Sequence, residues 1–508
     1  MRVGIDLGTT FSLISTLQKD GQPVLLPDNS FKDVFSTPSA VYISERNASV
    51  GYLVDTILEQ NPDLPVIRFF KRNFGENSPI HFDKQGNGWL AETIGALVLK
   101  KLKFDAEGYT GNLVESAVIT VPAHFNDLQR KAVLNAAALA EIPVLGLVEE
   151  PVAAALHYGV TYGGHNRIFL VYDLGGGTFD VSILSMDEKG VYVLAKDGNT
   201  ELGGKEFDEA ISGIILQQFE KNAGYPLPIN ALTSLQLRRI SEEIKIELSI
   251  PNKPFLKKHI LIGQHPFEIM IYRKDFEQSI RSMIEKTIEI TVRCIDGAGL
   301  KLEDIDALLL VGGSSMVPYV RDRLCKVFPN GDKKISFHEP MRAVAYGASL
   351  HAAQLSGEAE AMQIPSEFRG VTGYNVGIKI FNPQTNRTEI DCLIKKNLPL
   401  PSRAKRTYYT SSAQQTKIML QLVQYLDDGS SSVDIGELVI GPIPNPRINY
   451  AVDITVTNGE DGLIKIDAFD PNTGVELNKT FGKDNQDSSA KLGAQRLLVR
   501  NTFINNLF

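Results

Sequence analysis

The sequence predicts a two-lobed α/β domain followed by a small all-β domain, and three observations carry that expectation. An apolar run, Ile168-Phe169-Leu170-Val171, reads as a buried strand that delivers Asp173 to the triple-glycine turn Gly175-Gly176-Gly177 and on to Thr178 and Asp180. A shorter copy opens the chain, where Met1 to Ile5 runs into Asp6-Leu7-Gly8-Thr9-Thr10. Beyond about residue 370 the helical period disappears, and short alternating runs are separated by turn signals.

With 508 residues, two or three domains can each bury a core. A net charge of -8 disfavours nucleic acid, because neutralising phosphates needs a basic surface. Cys294, Cys325 and Cys392 are too few and too scattered for a disulfide framework or a zinc site. No basic-then-apolar leader and no apolar run of about 18 residues is present, so the expectation is a reduced, cytoplasmic chain without a membrane segment.

Glycines let the backbone turn tightly and bring several N–H groups against one anion, which is how proteins cradle phosphate. Asp173 and Asp180 flank the larger turn, where carboxylates can hold a magnesium ion through its waters; the alternative is a hairpin that binds nothing. In the first copy Thr9 and Thr10 offer N–H and O–H donors, though this motif alone is equally a plain β-turn. Two such turns, each after an apolar strand, suggest two related lobes facing one ligand.

Between them, Lys71 in Lys71-Arg72-Asn73-Phe74-Gly75 can act as a point charge on a phosphate or attacking water, or lie solvated on the surface. A buried strand ends at Pro122, and Asn126-Asp127 then caps a helix carrying Arg130. Glu150 precedes Pro151 at a helix N-terminus, where capping is the commoner use of a carboxylate. Gly203-Gly204 opens another helix. Over 237–249, Leu237, Ile240, Ile244 and Leu248 share a buried face, while Glu242, Lys245 and Ser249 line another. That second face can bind a ribose and purine edge, or simply be solvated. A third glycine turn, Gly312-Gly313-Ser314-Ser315-Met316, suits close packing against a flat base or its α-phosphate. Small residues over 343–348 suit close helix packing, and Ser356 to Glu360 with Pro365 mark a domain boundary. Asn382-Pro383, Asp427-Asp428-Gly429, Asn458-Gly459 and Asn472-Thr473-Gly474 then punctuate a small antiparallel β domain. Asp484 to Phe508 ends in an apolar-basic run, read as a fragment of helix or a docked tail.

Taken in order, GIDLGTTFS (4–12), KRNFG (71–75), VPAHFNDLQRKA (121–132), EEPVAAALHYG (149–159), DLGGGTFDVSIL (173–184), LGGKEFD (202–208), EEIKIELS (242–249), LVGGSSMVP (310–318) and AVAYGA (343–348) resemble the heat-shock protein 70 (DnaK) chaperones, within the actin and sugar-kinase superfamily. The short KR-x-x-G spacing and the C-terminal length are most similar to the divergent HscC-type branch. The resemblance implies an α/β actin-like two-lobed ATPase domain over 1–355, a linker over 356–370 and a β-sandwich peptide-binding domain over 371–483. The tail, 484–508, is too short for the family's helical lid, which needs several helices.

The implied activity is that of an ATP-dependent chaperone, with slow hydrolysis and binding of extended hydrophobic segments of unfolded clients. The implied ligands are ATP or ADP with Mg2+ and K+; the implied partners are a J-domain co-chaperone and a nucleotide exchange factor. Carried across, Asp6 and Asp173 hold the magnesium shell, and Gly8, Thr9, Thr10, Phe11 and Gly175 to Thr178 bind phosphates. Lys71 and Glu150 lie by the γ-phosphate and attacking water, with Thr178 and Asp180 assisting. Gly203, Gly204, Glu242, Lys245 and Ser249 hold the adenosine side, above Gly312, Gly313, Ser314 and Met316. Pro122 and Arg130 match positions that relay nucleotide state between lobes. Ile378, Ile380, Phe381, Tyr408, Ile418 and Leu420 would line a peptide groove, or else form a plain sandwich core.

Departures accompany the match. Met316 stands where the family has arginine, and Pro365 to Gly370 replace a leucine-rich linker ending in aspartate, which leaves ATP–peptide coupling open. Gly146, Glu149 and Val152 replace an arginine, an asparagine and a threonine used in J-domain docking. The alternatives are a sugar-kinase-like phosphotransferase and a nucleotide-gated scaffold or regulator.

Overall fold

The computed structural model describes residues 1–31, 33–45, 47–162, 167–336, 339–357, 367–382, 387–427, 429, 431–443, 445–471, 474–477, 479–481 and 485–505. For 162, 381–382, 479–481 and 485–491 it describes the backbone alone.

Apolar, β-branched runs build two six-stranded sheets wired alike. In the first, Arg2–Asp6 turns back antiparallel into Phe11–Leu17 and pairs parallel with Ser116–Val121, which pairs parallel with Val144–Glu149. In the second, Arg167–Leu174 turns back into Phe179–Met186 and pairs parallel with Ala307–Val311, which pairs parallel with Ile335–Ser336. Both central strands read as continuous apolar runs because both of their faces are covered. Each carries an aspartate, Asp6 or Asp173, to the turn at its C-terminal end.

Helices Glu150–Tyr162 and Ala343–Leu355 fill the space between the sheets. Small residues permit this. A Cβ on Gly347 would lie 1.8 Å from the Ala153 carbonyl oxygen, and one on Gly4 2.1 Å from the Ser349 nitrogen. Helix Asp127–Leu139 starts at a reciprocal cap. The Asn126 side chain accepts from the Gln129 N–H and the Gln129 side chain from the Asn126 N–H, both at 3.0 Å.

The first lobe also buries an ion triad. Lys101, fully enclosed, donates to Asp28 at 3.0 Å and to Asp105. Burial pushes Asp105 up to about 6 against the pull of Lys101. Asp28, although burial opposes it, is held below the usual range by Lys101 and by hydrogen bonds from Ser30 and Thr37.

Between 375 and 481 the described strands form two antiparallel sheets. One orders Arg387–Ile394, Asn375–Asn382, Ile418–Tyr425, Ser432–Ile440 and Lys479–Phe481; the other orders Ser402–Tyr409, Ala451–Asn458 and Ile464–Phe469. Their inner faces share one apolar core. Of the expected linker over 356–370, residues 358–366 lie outside the described residues. Glu367–Arg369 adds a parallel strand to Gly190–Asn199, with the Phe368 ring 5.8 Å from that of His351.

The C-terminal residues return to the first lobe. Helix Asn485–Arg500 packs there through Val499, which is 1% exposed, and Phe503–Ile504 pairs parallel with Asn47–Ala48. Gln495 donates to the Gly88 carbonyl and accepts from Thr93, while Lys100 donates to the carbonyls of Val499 and Thr502. Val499→Asp is expected to cost at least ~2 kcal/mol, because it buries a carboxylate without a partner. Leu497→Asp, at an exposed position of the same helix, should leave the melting temperature unchanged. Among the described residues no helix is long and apolar enough to cross a membrane.

Candidate functional site

Because the two central strands point their aspartate-bearing ends at each other, the glycine turns meet. A Cβ on Gly176 would lie 1.9 Å from the Thr10 hydroxyl, and one on Gly177 2.4 Å from the Thr9 methyl. The Thr10 hydroxyl is buried without a partner, a donor held at the cradle. Gly203 presses on Gly177, with a Cβ there falling 2.6 Å from the Gly177 nitrogen. Gly312 is required by its backbone: φ is 79°, and a Cβ would meet the Leu174 carbonyl oxygen at 2.4 Å. Gly8 and Phe11 complete the smaller turn, where a Cβ on Gly8 would strike the Phe11 carbonyl.

Behind the turns lies a ring of buried carboxylates. Asp173 and Asp180 face each other in register across the hairpin, and Asp6 accepts from the Thr120 hydroxyl at 3.0 Å. Lys71, on the 3-10 turn Phe70–Asn73 and 3% exposed, meets Glu150 at 2.7 Å. Burial pushes Glu150 up to about 7; Lys71 opposes the rise, and Asp6 and Asp180 add to it. Burial likewise raises Asp6. It drives Asp173 well above the carboxylate range, with repulsion from Glu150, Asp180 and Asp6 added.

Four carboxylates against one ammonium are short of positive charge, and Asp180 Oδ2 is buried without a partner. That fits a divalent cation. Among the described residues no cluster of three or more His, Cys, Asp or Glu is set for direct ligation. The ring therefore suits an ion that keeps its waters, as Mg2+ does.

Across the cleft, Arg72 makes two hydrogen bonds of 3.0 Å to Glu206 and one of 2.5 Å to the Gly177 carbonyl. Glu206 in turn accepts from the Gly203 N–H at 2.8 Å. A cavity of about 10 Å³ remains beneath this bridge, lined by residues including Thr9, Lys71, Pro122 and Thr178. Sequence reasoning gave Arg72 and Glu206 no role, although both stand inside quoted motifs.

Lys245 meets Asp208 at 2.8 Å and donates to the Gly204 carbonyl at 3.3 Å. A Cβ on Gly204 would lie 2.5 Å from the Ser314 hydroxyl, so Gly204, Lys245 and Ser314 converge. Burial raises Asp208 to about 6, against Lys245. Ser249 donates to the Lys245 carbonyl of its own helix, Glu242 is half-buried, and Met316 is exposed near the Gly313 turn.

Pro122 borders the cavity, whereas Arg130 reaches outward. Arg130 donates to Glu149 at 2.7 Å, to the Phe125 carbonyl and, at 3.2 Å, to the Asp461 carbonyl of the β domain. Glu149 also pairs with Lys196, a buried amine whose pKa burial lowers. Glu149 is thus enclosed with two cations, and Val152 is buried too. Other links cross the same seam. The Asp127 N–H donates to Gln424 at 2.8 Å, the Ile464 N–H to Asp127 at 2.9 Å, and Lys396 lies 3.4 Å from Asp197.

The residues expected to line either a peptide groove or a plain sandwich core all fall in the β domain. Ile378, Ile418 and Leu420 are buried in the sandwich core, and Ile380 and Tyr408 stand at its margin. The Tyr408 hydroxyl donates to Asp391 at 3.0 Å. Phe381 falls on a strand, with its side chain outside the described residues.

The family model described as Hsp70 protein matches residues 2–497, nearly the whole chain. With that match added to the paired turns and their acidic ring, the chain belongs to the Hsp70 family of ATP-dependent chaperones.

Proposed function

We propose that this chain is a slow Mg2+-dependent ATPase on an actin-like two-lobed domain, and that its β domain binds extended hydrophobic segments of client proteins. The observation that carries the reading is the Lys71–Glu150 pair set among Asp6, Asp173 and Asp180 where the two glycine turns meet. Thr9, Thr10 and the backbone of Gly175 to Thr178 would bind phosphates, and Glu242, Lys245 and Ser249 the adenosine over Gly312, Gly313, Ser314 and Met316. Asp6 and Asp173 would hold Mg2+ through water, and the ion would neutralise phosphate charge. Glu150, titrating near 7, suits a group that takes a proton from attacking water; Lys71 fixes it, while Thr178 and Asp180 orient the water.

Client polypeptides, a J-domain co-chaperone and an exchange factor are the proposed partners. An HscC-type lineage, K+ binding and a cytoplasmic setting belong to the same proposal. A second reading, a nucleotide-gated scaffold with little client binding, is favoured by the burial of Ile378, Ile418 and Leu420.

Single-turnover ATP hydrolysis with and without an unfolded polypeptide separates the two. Acceleration of several-fold supports the chaperone. Hydrolysis indifferent to polypeptide supports the scaffold, and transfer of phosphate to a small alcohol would overturn both.

A further inference from the structure

We infer that His124 is a positioning residue for hydrolysis: its ring orients Asp180, and its backbone carbonyl ties that orientation to the β domain. The inference rests on the ATPase reading above. His124 lies in the loop between strand Ser116–Val121 and helix Asp127–Leu139, and it is 8% exposed. Its Nδ1 is 2.5 Å from Asp180 Oδ1, and its backbone N–H reaches the same oxygen at 3.3 Å. A carboxylate only accepts, so Nδ1 carries the proton and donates. Nε2 is buried without a partner, so the ring's hydrogen bond is the one through Nδ1.

Gly198, on the neighbouring strand, closes over the pair. A Cβ there would lie 2.9 Å from Nδ1 and 3.4 Å from Asp180 Oδ1, so no larger residue fits. With Oδ1 held by two donors from one residue, the carboxylate cannot rotate freely. The unpartnered Oδ2 is the oxygen left for water or an ion's hydration shell.

The other side of His124 faces the β domain. The Tyr374 hydroxyl, on the segment entering strand Asn375–Asn382, donates to the His124 carbonyl at 2.7 Å. Three residues on, Asp127 is bonded to Gln424 and Ile464. The loop 124–127 is therefore held at both ends by the β domain. Undocking that domain would release the carbonyl and let the loop, and with it the two His124 donors to Asp180, relax. Misplacing a reacting group by about 1 Å can cost on the order of 100-fold in rate.

The test uses the full chain and three variants. His124→Leu removes the donor, His124→Asn restores an N–H near the Nδ1 position, and Tyr374→Phe frees the carbonyl without touching the ring. Single-turnover hydrolysis at saturating Mg-ATP and ATP affinity are measured, together with the 15N-histidine spectrum of the nucleotide-free chain. His124→Leu should slow hydrolysis by about 10–100-fold with ATP affinity within about 2-fold, and His124→Asn should recover most of the rate. Tyr374→Phe should shift the His124 Nδ1 resonance and alter the rate by roughly 3-fold or more.

A wild-type rate in His124→Leu, or asparagine no better than leucine, overturns the inference. If His124→Leu does not fold, Tyr374→Phe with unchanged resonance and rate overturns it instead. A wild-type chain that binds ATP without hydrolysing it overturns the ATPase reading as well, whereas hydrolysis intact in every variant overturns this inference alone.

Discussion

Lys71→Ala should slow single-turnover hydrolysis by about 100–1,000-fold while weakening ATP binding far less. The reason is electrostatic. Lys71 is enclosed, bonded to Glu150 at 2.7 Å, and opposes the charge of Asp6 and Asp173. Glu150 already titrates near 7 because burial raises it and Lys71 restrains the rise. Without the ammonium its pKa climbs further, so at neutral pH it stays protonated and cannot accept a proton. The variant's residual rate should therefore recover as pH rises above 7, a limb displaced to alkaline pH relative to wild type. Lys71→Arg should not restore the rate, since a planar fork does not replace a compact point charge. Hydrolysis followed from pH 6 to 9 decides the matter; an unshifted limb would show that Glu150 is not the group that titrates.

Lys101→Met should be the most damaging of these changes to stability, at about 3–5 kcal/mol, because it leaves two buried carboxylates unpaired. Asp105 makes the effect depend on pH. Its folded pKa, about 6, lies above its unfolded value of 3.8, so it favours the folded state below pH 3.8, and that contribution is lost as pH rises through 6. A carboxyl displaced that far changes stability by about 3 kcal/mol at most. Asp28 has the opposite sign: its pKa is lowered, so its contribution holds above 3.8 and fails in stronger acid. Between pH 4 and 6 Asp105 dominates. Thermal unfolding should show wild type losing stability across that window, Asp105→Asn flattening the slope, and Lys101→Met suffering more at pH 7.5 than at pH 5. Equal loss at both pH values would mean that neither acid takes up a proton there.

How much of this is legible in the sequence depends on the range of each signal. Strands ending at Asp6 and Asp173, the cap at Asn126 and the helix holding Glu242, Lys245 and Ser249 are written in neighbouring residues, and the structure has those elements in place. Charged pairs between distant segments are not legible. Arg72 and Glu206 are 134 positions apart, and Tyr374 and His124 are 250 apart. By resemblance Glu149 reads as a docking position, yet Arg130 and Lys196 enclose it, because partner choice is a property of the assembled fold. Alternation in the β domain cannot separate groove from core, since either use needs apolar residues on one face of a strand. The tail reads as either helix or docked segment; Val499 and Lys100 show that it is both.

Pairing Phe503–Ile504 with Asn47–Ala48 sets an order on how the molecule is made. Until Phe503–Ile504 emerges, Asn47–Val50 is the outer strand of a three-stranded patch with Ala40–Ser44 and Ile67–Arg68. At synthesis rates of about 5–20 residues per second, that edge waits on the order of half a minute or more for its neighbour. A waiting edge can recruit a strand from another nascent chain, and Asn47 and Ser49 supply polar side chains there. The first lobe is thus completed by residues more than 450 positions downstream, so a chain stalled or cut before Phe503 presents an open sheet edge rather than a finished lobe.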